Sequence, residues 1–174
     1  MTKRVLILAT DGFEQSELTE PKKALEAAGF ETVVASPQSG SIKGWLHGNW
    51  GESVPVDASL DEVDADDFDA LLLPGDQMNP DKLRMEARAI ELIEDFDDAG
   101  KPIAAICHGP WLLAEADIID GRTVTSWPSI RTDLANAGAD VVDEEVVVDD
   151  NLITSRMPDD IPAFNRALIA ALTD

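Results

Sequence analysis

The sequence predicts an α/β protein with a mostly parallel sheet covered by helices on both faces. Three observations carry that expectation. Short, wholly apolar runs (Val5–Ala9, Ala70–Leu73, Pro102–Ile106) alternate with segments of helical periodicity, and each run ends in Gly, Pro or a polar turn residue. The connections between them are short enough for β-α-β units, whose ligands gather at the carboxyl ends of the strands.

Val5–Ala9 opens the sheet and stops at Thr10-Asp11-Gly12. From Glu14 to Ala28, Leu18, Leu25 and Ala28 recur at helical spacing; Pro21 marks a kink or an early turn, and Gly29 supplies a left-handed cap. Thr32–Ala35 and Ala70–Leu73 read as the next strands, with a loop-rich stretch between Ser36 and Asp69 that holds Trp45, His47 and Trp50. Leu83–Ala99 reads as one amphipathic helix ended by Gly100, followed by the strand Pro102–Ile106. A helix is expected over Pro110–Ala116, strands at Val141–Val142 and Val146–Val148, a hairpin turn at Asp149–Asn151, and a closing helix over Ile161–Leu172.

The 174 residues, 44% of them hydrophobic, suit one domain spanning 1–174. Acidic side chains number 35 against 13 basic ones, a formal net charge of -22, and no basic cluster is present to neutralise a row of phosphates. Nucleic-acid backbone binding is therefore not expected. Acids scattered through every segment repel one another in dilute buffer, whereas molar salt shortens the screening length to about 3 Å, so the charge pattern points to a halophilic protein. The apolar run near the N-terminus is too brief for a signal peptide or a membrane span, which points to the cytoplasm and away from a membrane. One cysteine permits neither an internal disulfide nor a cysteine-based zinc cluster, and no cofactor or metal is expected.

That cysteine is where chemistry is expected. Lys101-Pro-Ile-Ala-Ala-Ile-Cys107-His108-Gly109-Pro110 carries a buried strand directly into a helix, placing Cys107 at a tight elbow. A thiol there meets the positive end of the helix dipole and free amides, which favour the thiolate, and the small neighbours permit the turn, as in the serine elbows of hydrolases.

Ala105-Ile-Cys107-His-Gly-Pro110 resembles the nucleophile motif of the PfpI-like intracellular peptidase family, within the superfamily of the parkinsonism-associated deglycase. Gly12-Phe-Glu14-Gln-Ser-Glu17-Leu18, Leu73-Pro-Gly75, Asn136-Ala-Gly138-Ala and Thr154 to Phe164 fit the same family, so the similarity spans nearly the whole chain. The resemblance implies a three-layer, flavodoxin-like sandwich of the class I glutamine amidotransferase type. It implies Glu17 as a protonated carboxyl that donates to the thiolate, Glu14 as a structural residue one turn earlier, and His108 as general base or its relay. Asp81 matches, one residue later and one methylene shorter, a carboxylate that a neighbouring subunit supplies to orient the histidine; the other reading of Asp81 is a helix N-cap. Gly75, the Asp76 amide and the His108 amide are the implied oxyanion hole. Asp76 departs from the usual second glycine, and its carboxylate opposes an oxyanion. His47 reads first as a surface histidine of the loop, the other reading being a substrate contact at the pocket mouth.

The implied activity is cysteine-dependent repair of reactive carbonyls, such as methylglyoxal or its adducts on protein or nucleotide, in a homo-oligomer (dimer or hexamer) with a shared active site. Hemithioacetal formation asks less of an imperfect oxyanion hole than peptide cleavage does, which ranks intracellular peptidase activity second. A non-enzymatic stress protein whose thiol is oxidised to sulfinic acid is the third reading. Glutamine amidotransfer needs a later histidine, and none follows His108.

Overall fold

The computed structural model describes residues 1–173; the last residue of the expected 1–174 domain lies outside them. In chain order the elements are β1 (Arg4–Leu8), β2 (Phe13–Glu14), α1 (Gln15–Ala27), β3 (Glu31–Ser36), β4 (Ser41–Leu46), β5 (Asn49–Pro55), β6 (Ala58–Ser59), β7 (Ala70–Leu73), α2 (Met78–Leu83), α3 (Ala87–Asp98), β8 (Ile103–Ile106), α4 (Trp111–Glu115), β9 (Thr123–Val124), α5 (Arg131–Asn136), β10 (Asp140–Val141), β11 (Val147–Asp149), β12 (Leu152–Ser155) and α6 (Ile161–Thr173).

The apolar runs form a seven-stranded sheet in the order β11-β12-β8-β7-β1-β3-β6, parallel throughout except for the β11–β12 hairpin. Strand side chains alternate between two cores, which is why both faces must be apolar. Leu6, Leu8, Leu71, Leu73, Ile103 and Ala105 face α3, α4 and α5 through Leu92, Ile93, Phe96, Leu112 and Leu134. Val5, Ile7, Ala70, Leu72, Ala104 and Ile106 face α1 and α6 through Leu18, Leu25, Phe164 and Leu168. Leu8, Leu73 and Ile106 end β1, β7 and β8 at the same edge, and the loops leaving them build the site.

The expected strands and the helices at 14–28, 110–116 and 161–172 are present with ends shifted by a residue or two, and Gly29 caps α1 at φ +91°. Two expectations need correction. The stretch from Ser36 to Asp69 contains the β4–β5 hairpin, closed by His47 (φ +50°) and Gly48 (φ +82°), the paired positive angles that a two-residue hairpin turn requires. A register shift between Lys43 and Trp45 breaks the polar-apolar alternation and hides the strand from a period-two reading. The helix expected over 83–99 is two helices, α2 and α3, parted at Arg84–Glu86, where Glu86 is extended at ψ +104°. Leu83 and Ile90 lie seven residues apart, a spacing that one continuous helix would also show. The strand β9 and helix α5 were not anticipated; neither has a long enough apolar pattern to announce it. No described helix is long and apolar enough to cross a membrane.

Candidate active site

The chain leaves β8 through a turn in which Gly109 N donates to Ile106 O at 2.8 Å. A Cβ on Gly109 would sit 2.6 Å from Leu73 O, so this position is closed to any other residue. Cys107 takes φ +64° at the turn, donating its amide to Ser155 O (3.0 Å) and accepting from Trp127 N (2.9 Å). The elbow is thus held from β12 on one side and from the segment after β9 on the other. Such strain in a non-glycine residue persists only where surrounding contacts enforce it, and it concentrates at functional sites.

Glu17 comes to the sulfur from the first turn of α1. Glu14 caps that helix, accepting from Glu17 N at 2.8 Å and from the Ser16 hydroxyl, which fits its expected structural place. The Glu17 side chain is wholly buried. Its Oε1 accepts the Gly75 amide at 2.9 Å, and Oε2, with no nitrogen or oxygen partner, is left to the Cys107 side chain. Burial, with the nearby charges of Glu14 and Asp76, holds this carboxyl well above its usual range, against the pull of the Gly75 amide and the thiol. The site therefore favours its protonated form.

Burial also pushes the Cys107 thiol up, and a charged Glu17 would push it further, while the amides of Asp76 and His108 pull it down. This corrects the expectation of a thiol depressed by a helix dipole: α4 starts four residues after Cys107 and is five residues long. A proton on Glu17 removes the repelling charge and leaves a donor, which makes the thiolate less costly than it is beside an ionised Glu17. The two groups titrate as a pair.

His108 and Cys107 do turn together, with Nδ1 3.3 Å from Sγ. Burial lowers the imidazole below its usual value, so it is neutral at pH 7 and able to accept a proton. Trp127 stacks near it, with centroids 6.0 Å apart and planes at 24°, and Trp111 meets it edge-on at 5.4 Å.

The Gly75 amide is committed to Glu17, which removes it from the expected oxyanion hole and leaves the Asp76 and His108 amides facing the sulfur. A Cβ on Gly75 would lie 2.6 Å from Glu17 Oε1 and from Ile106 O, so glycine is required there for space. Asp76 adopts φ +65°, its Oδ1 accepting Gln77 N at 2.6 Å, and burial raises its pKa. The local hydrogen bond explains how aspartate holds a conformation that suits glycine.

Asp81 lies exposed in α2, outside the cleft. The helix N-cap is Gln77, so the capping reading of Asp81 is set aside. His47, exposed at the hairpin turn, lines the cleft, a cavity of about 520 Å³ with Cys107 at its floor; Glu14, Trp45, Gln77, Trp127 and Pro158 line it too. Trp127 had no signal in the sequence, because the short strand that delivers it was not legible. Among the described residues, no group of three or more His, Cys, Asp or Glu could hold a metal ion.

Residues 3–171 match the DJ-1/PfpI family. The chain belongs to this family. Two bacterial relatives align over 99% of this chain and of their own lengths: general stress protein 18 of Bacillus subtilis at 50% identity, and protein/nucleic acid deglycase 2 of Escherichia coli at 48%. A solved two-domain protein from Anabaena variabilis, with DJ-1/ThiJ/PfpI-like and ferritin-like domains, superposes with a TM-score of 0.94 at 38% identity, over 99% of this chain. The family member described here spans about half, 48%, of that two-domain chain. In DJ-1/PfpI terms, this is a family protein whose parallel sheet carries the cysteine elbow at the carboxyl end of β8.

Proposed function

We propose that this protein is a cysteine-dependent enzyme of reactive-carbonyl repair, acting on methylglyoxal and its adducts. The observation that carries the reading is the orphaned Glu17 Oε2 beside Cys107, in a site whose remaining groups suit addition to an aldehyde. Sγ forms a bond to the aldehyde carbon; the carbonyl π electrons move to oxygen, which takes a proton, giving a hemithioacetal. His108, neutral and 3.3 Å from Sγ, is the base placed to accept the thiol proton. In this reading it returns that proton to the hemithioacetal oxygen and, neutral again, carries the aldehydic carbon's proton to the adjacent ketone carbon. That transfer oxidises the first carbon and reduces the second, yielding a thioester that water hydrolyses to lactate. The sum is methylglyoxal plus water to lactate. On an amine adduct, sulfur displaces the amine, which leaves with a proton, and the same thioester follows.

Peptide cleavage is a less suitable reading. It needs a strong oxyanion hole, whereas here the Gly75 amide is engaged by Glu17 and one of the two remaining donors is the amide of Asp76, which carries a carboxylate. Asp81, exposed and in no ion pair among the described residues, contributes only if a second subunit brings it to a neighbouring His108; we include a homo-oligomer and a cytoplasmic location in the proposal.

The test is lactate formation from methylglyoxal, followed by proton NMR, with wild type and Cys107→Ala. Cysteine-dependent lactate supports the reading. Equal rates in the two proteins, or cleavage of a fluorogenic peptide without lactate, would overturn it.

A further inference from the structure

Glu17 is delivered by the segment that leaves β1, and the turn after β7 receives it. A single buried side chain ties these two segments together. Asn79, the second residue of α2, is wholly buried and turns toward the strand ends instead of capping its own helix. Its Oδ1 accepts Thr10 N at 2.8 Å, and its Nδ2 donates to Pro74 O at 2.9 Å. The partners fix the orientation of the carboxamide, since an amide N–H requires the oxygen and a carbonyl requires the nitrogen. The same segment presses on the start of α2, where a Cβ on Gly12 would lie 2.6 Å from Met78 Cβ.

Pro74 O and Gly75 N belong to one peptide group, which is planar. Asn79 holds its oxygen, and Glu17 Oε1 takes its N–H at 2.9 Å on the other side. Fixing the carbonyl therefore fixes where the N–H points. That N–H in turn settles which carboxyl oxygen of Glu17 is engaged and which is left to Cys107. The next peptide is held in the same manner, with Gly75 O accepting Glu14 N at 3.2 Å while the Asp76 amide is directed at the sulfur. Asn79 itself does not line the cleft.

We infer that Asn79 is a positioning residue of the Cys107–Glu17 pair: by joining the segment after β1 to the Pro74 carbonyl, it aims the Gly75 amide at Glu17 Oε1 and so reserves Oε2 for the sulfur. This arrangement is the same whichever carbonyl the thiol meets. Absence of methylglyoxal turnover would overturn the carbonyl-repair reading above and leave the role of Asn79 standing.

The test follows the Glu17 carboxyl carbon by NMR through a pH titration of the full chain, with Glu17→Gln identifying its resonance. Glu14, Asp76 and Cys107, the titratable groups facing that carboxyl, and His108 beside the sulfur remain in every variant used. In wild type the Asn79 side-chain amide resonances should titrate with the Glu17 midpoint, because charge gained on Oε1 strengthens the Gly75 bond and polarises the peptide that Nδ2 holds. That response should be lost in Glu17→Gln. In Asn79→Ala the Glu17 midpoint should rise, since the Gly75 amide holds it down and a slackened peptide weakens that bond. Leu83→Ala removes packing from the same helix in the core on the α3 side and should leave the midpoint in place. Should Asn79→Ala fail to fold, the wild-type titration decides. Asn79 resonances indifferent to Glu17, a midpoint unchanged or lowered in Asn79→Ala, or one moved as far by Leu83→Ala would overturn the inference.

Discussion

Glu17 Oε1 accepts the Gly75 amide at 2.9 Å, so one carboxyl oxygen is spent on the β7 turn and the other is left to the sulfur. Any change to either residue therefore moves both the turn and the thiol.

Glu17→Gln keeps an acceptor for the Gly75 amide but can neither ionise nor release a proton. At a pH high enough to ionise Glu17 in the wild type, the variant lacks the charge that raises the Cys107 thiol and should be alkylated faster by iodoacetamide, while turnover of methylglyoxal falls on the order of 10²-fold, the usual scale of a lost proton donor. Stability adds a signature. The folded carboxyl titrates above the usual 4.5, so between those two values the native state holds a proton that the unfolded chain has released. Its contribution is complete below pH 4.5 and is lost as pH rises through the folded value. Urea titrations over pH should show this slope in wild type and not in Glu17→Gln.

Gly75→Ala forces a methyl group to within 2.6 Å of Glu17 Oε1 and Ile106 O and 2.8 Å of Cys107 Cβ. Backbone and buried atoms surround it, so the variant should lose about 1–3 kcal/mol of stability in urea unfolding, together with its activity.

Cys107→Gly and Cys107→Ala remove the same sulfur but differ at φ +64°. Glycine adopts that angle without a Cβ clash, so it should be more stable than alanine by about 1 kcal/mol, read from paired denaturant midpoints. Equal midpoints would mean that the elbow is not strained.

The pH profile of kcat/KM for methylglyoxal should place its acid limb below pH 6.5, since burial lowers the imidazole from that value and the base must be neutral. His108→Gln should abolish that limb along with most of the turnover.

A net charge of -22 is the basis for proposing salt adaptation. The thermal midpoint should rise as potassium chloride is taken from 0.1 M to about 2 M, because screening relieves repulsion among exposed carboxylates. A flat or falling midpoint would argue against it.

Local pattern was enough for the parallel sheet, the elbow and the identity of its cysteine, because fully buried strands leave continuous apolar runs and Gly109 and Pro110 permit little but a tight turn after Ile106. Glu17, His108, Asp76 and His47 were recognisable as candidates through their motifs or neighbours. Their arrangement was not, since it depends on contacts between distant segments. Gly75 reaches Glu17 across 58 positions, and that single bond decides which amides remain for a substrate. Trp127 enters the cleft from a segment with no periodicity of its own. The direction of the Cys107 shift was likewise invisible, because burial and a neighbouring carboxyl outweigh a five-residue helix. The order of residues alone determined the scaffold and where its cysteine sits; only folding decided the protonation of that thiol and the charge of its pocket, because both arise from desolvation and from groups brought together through space.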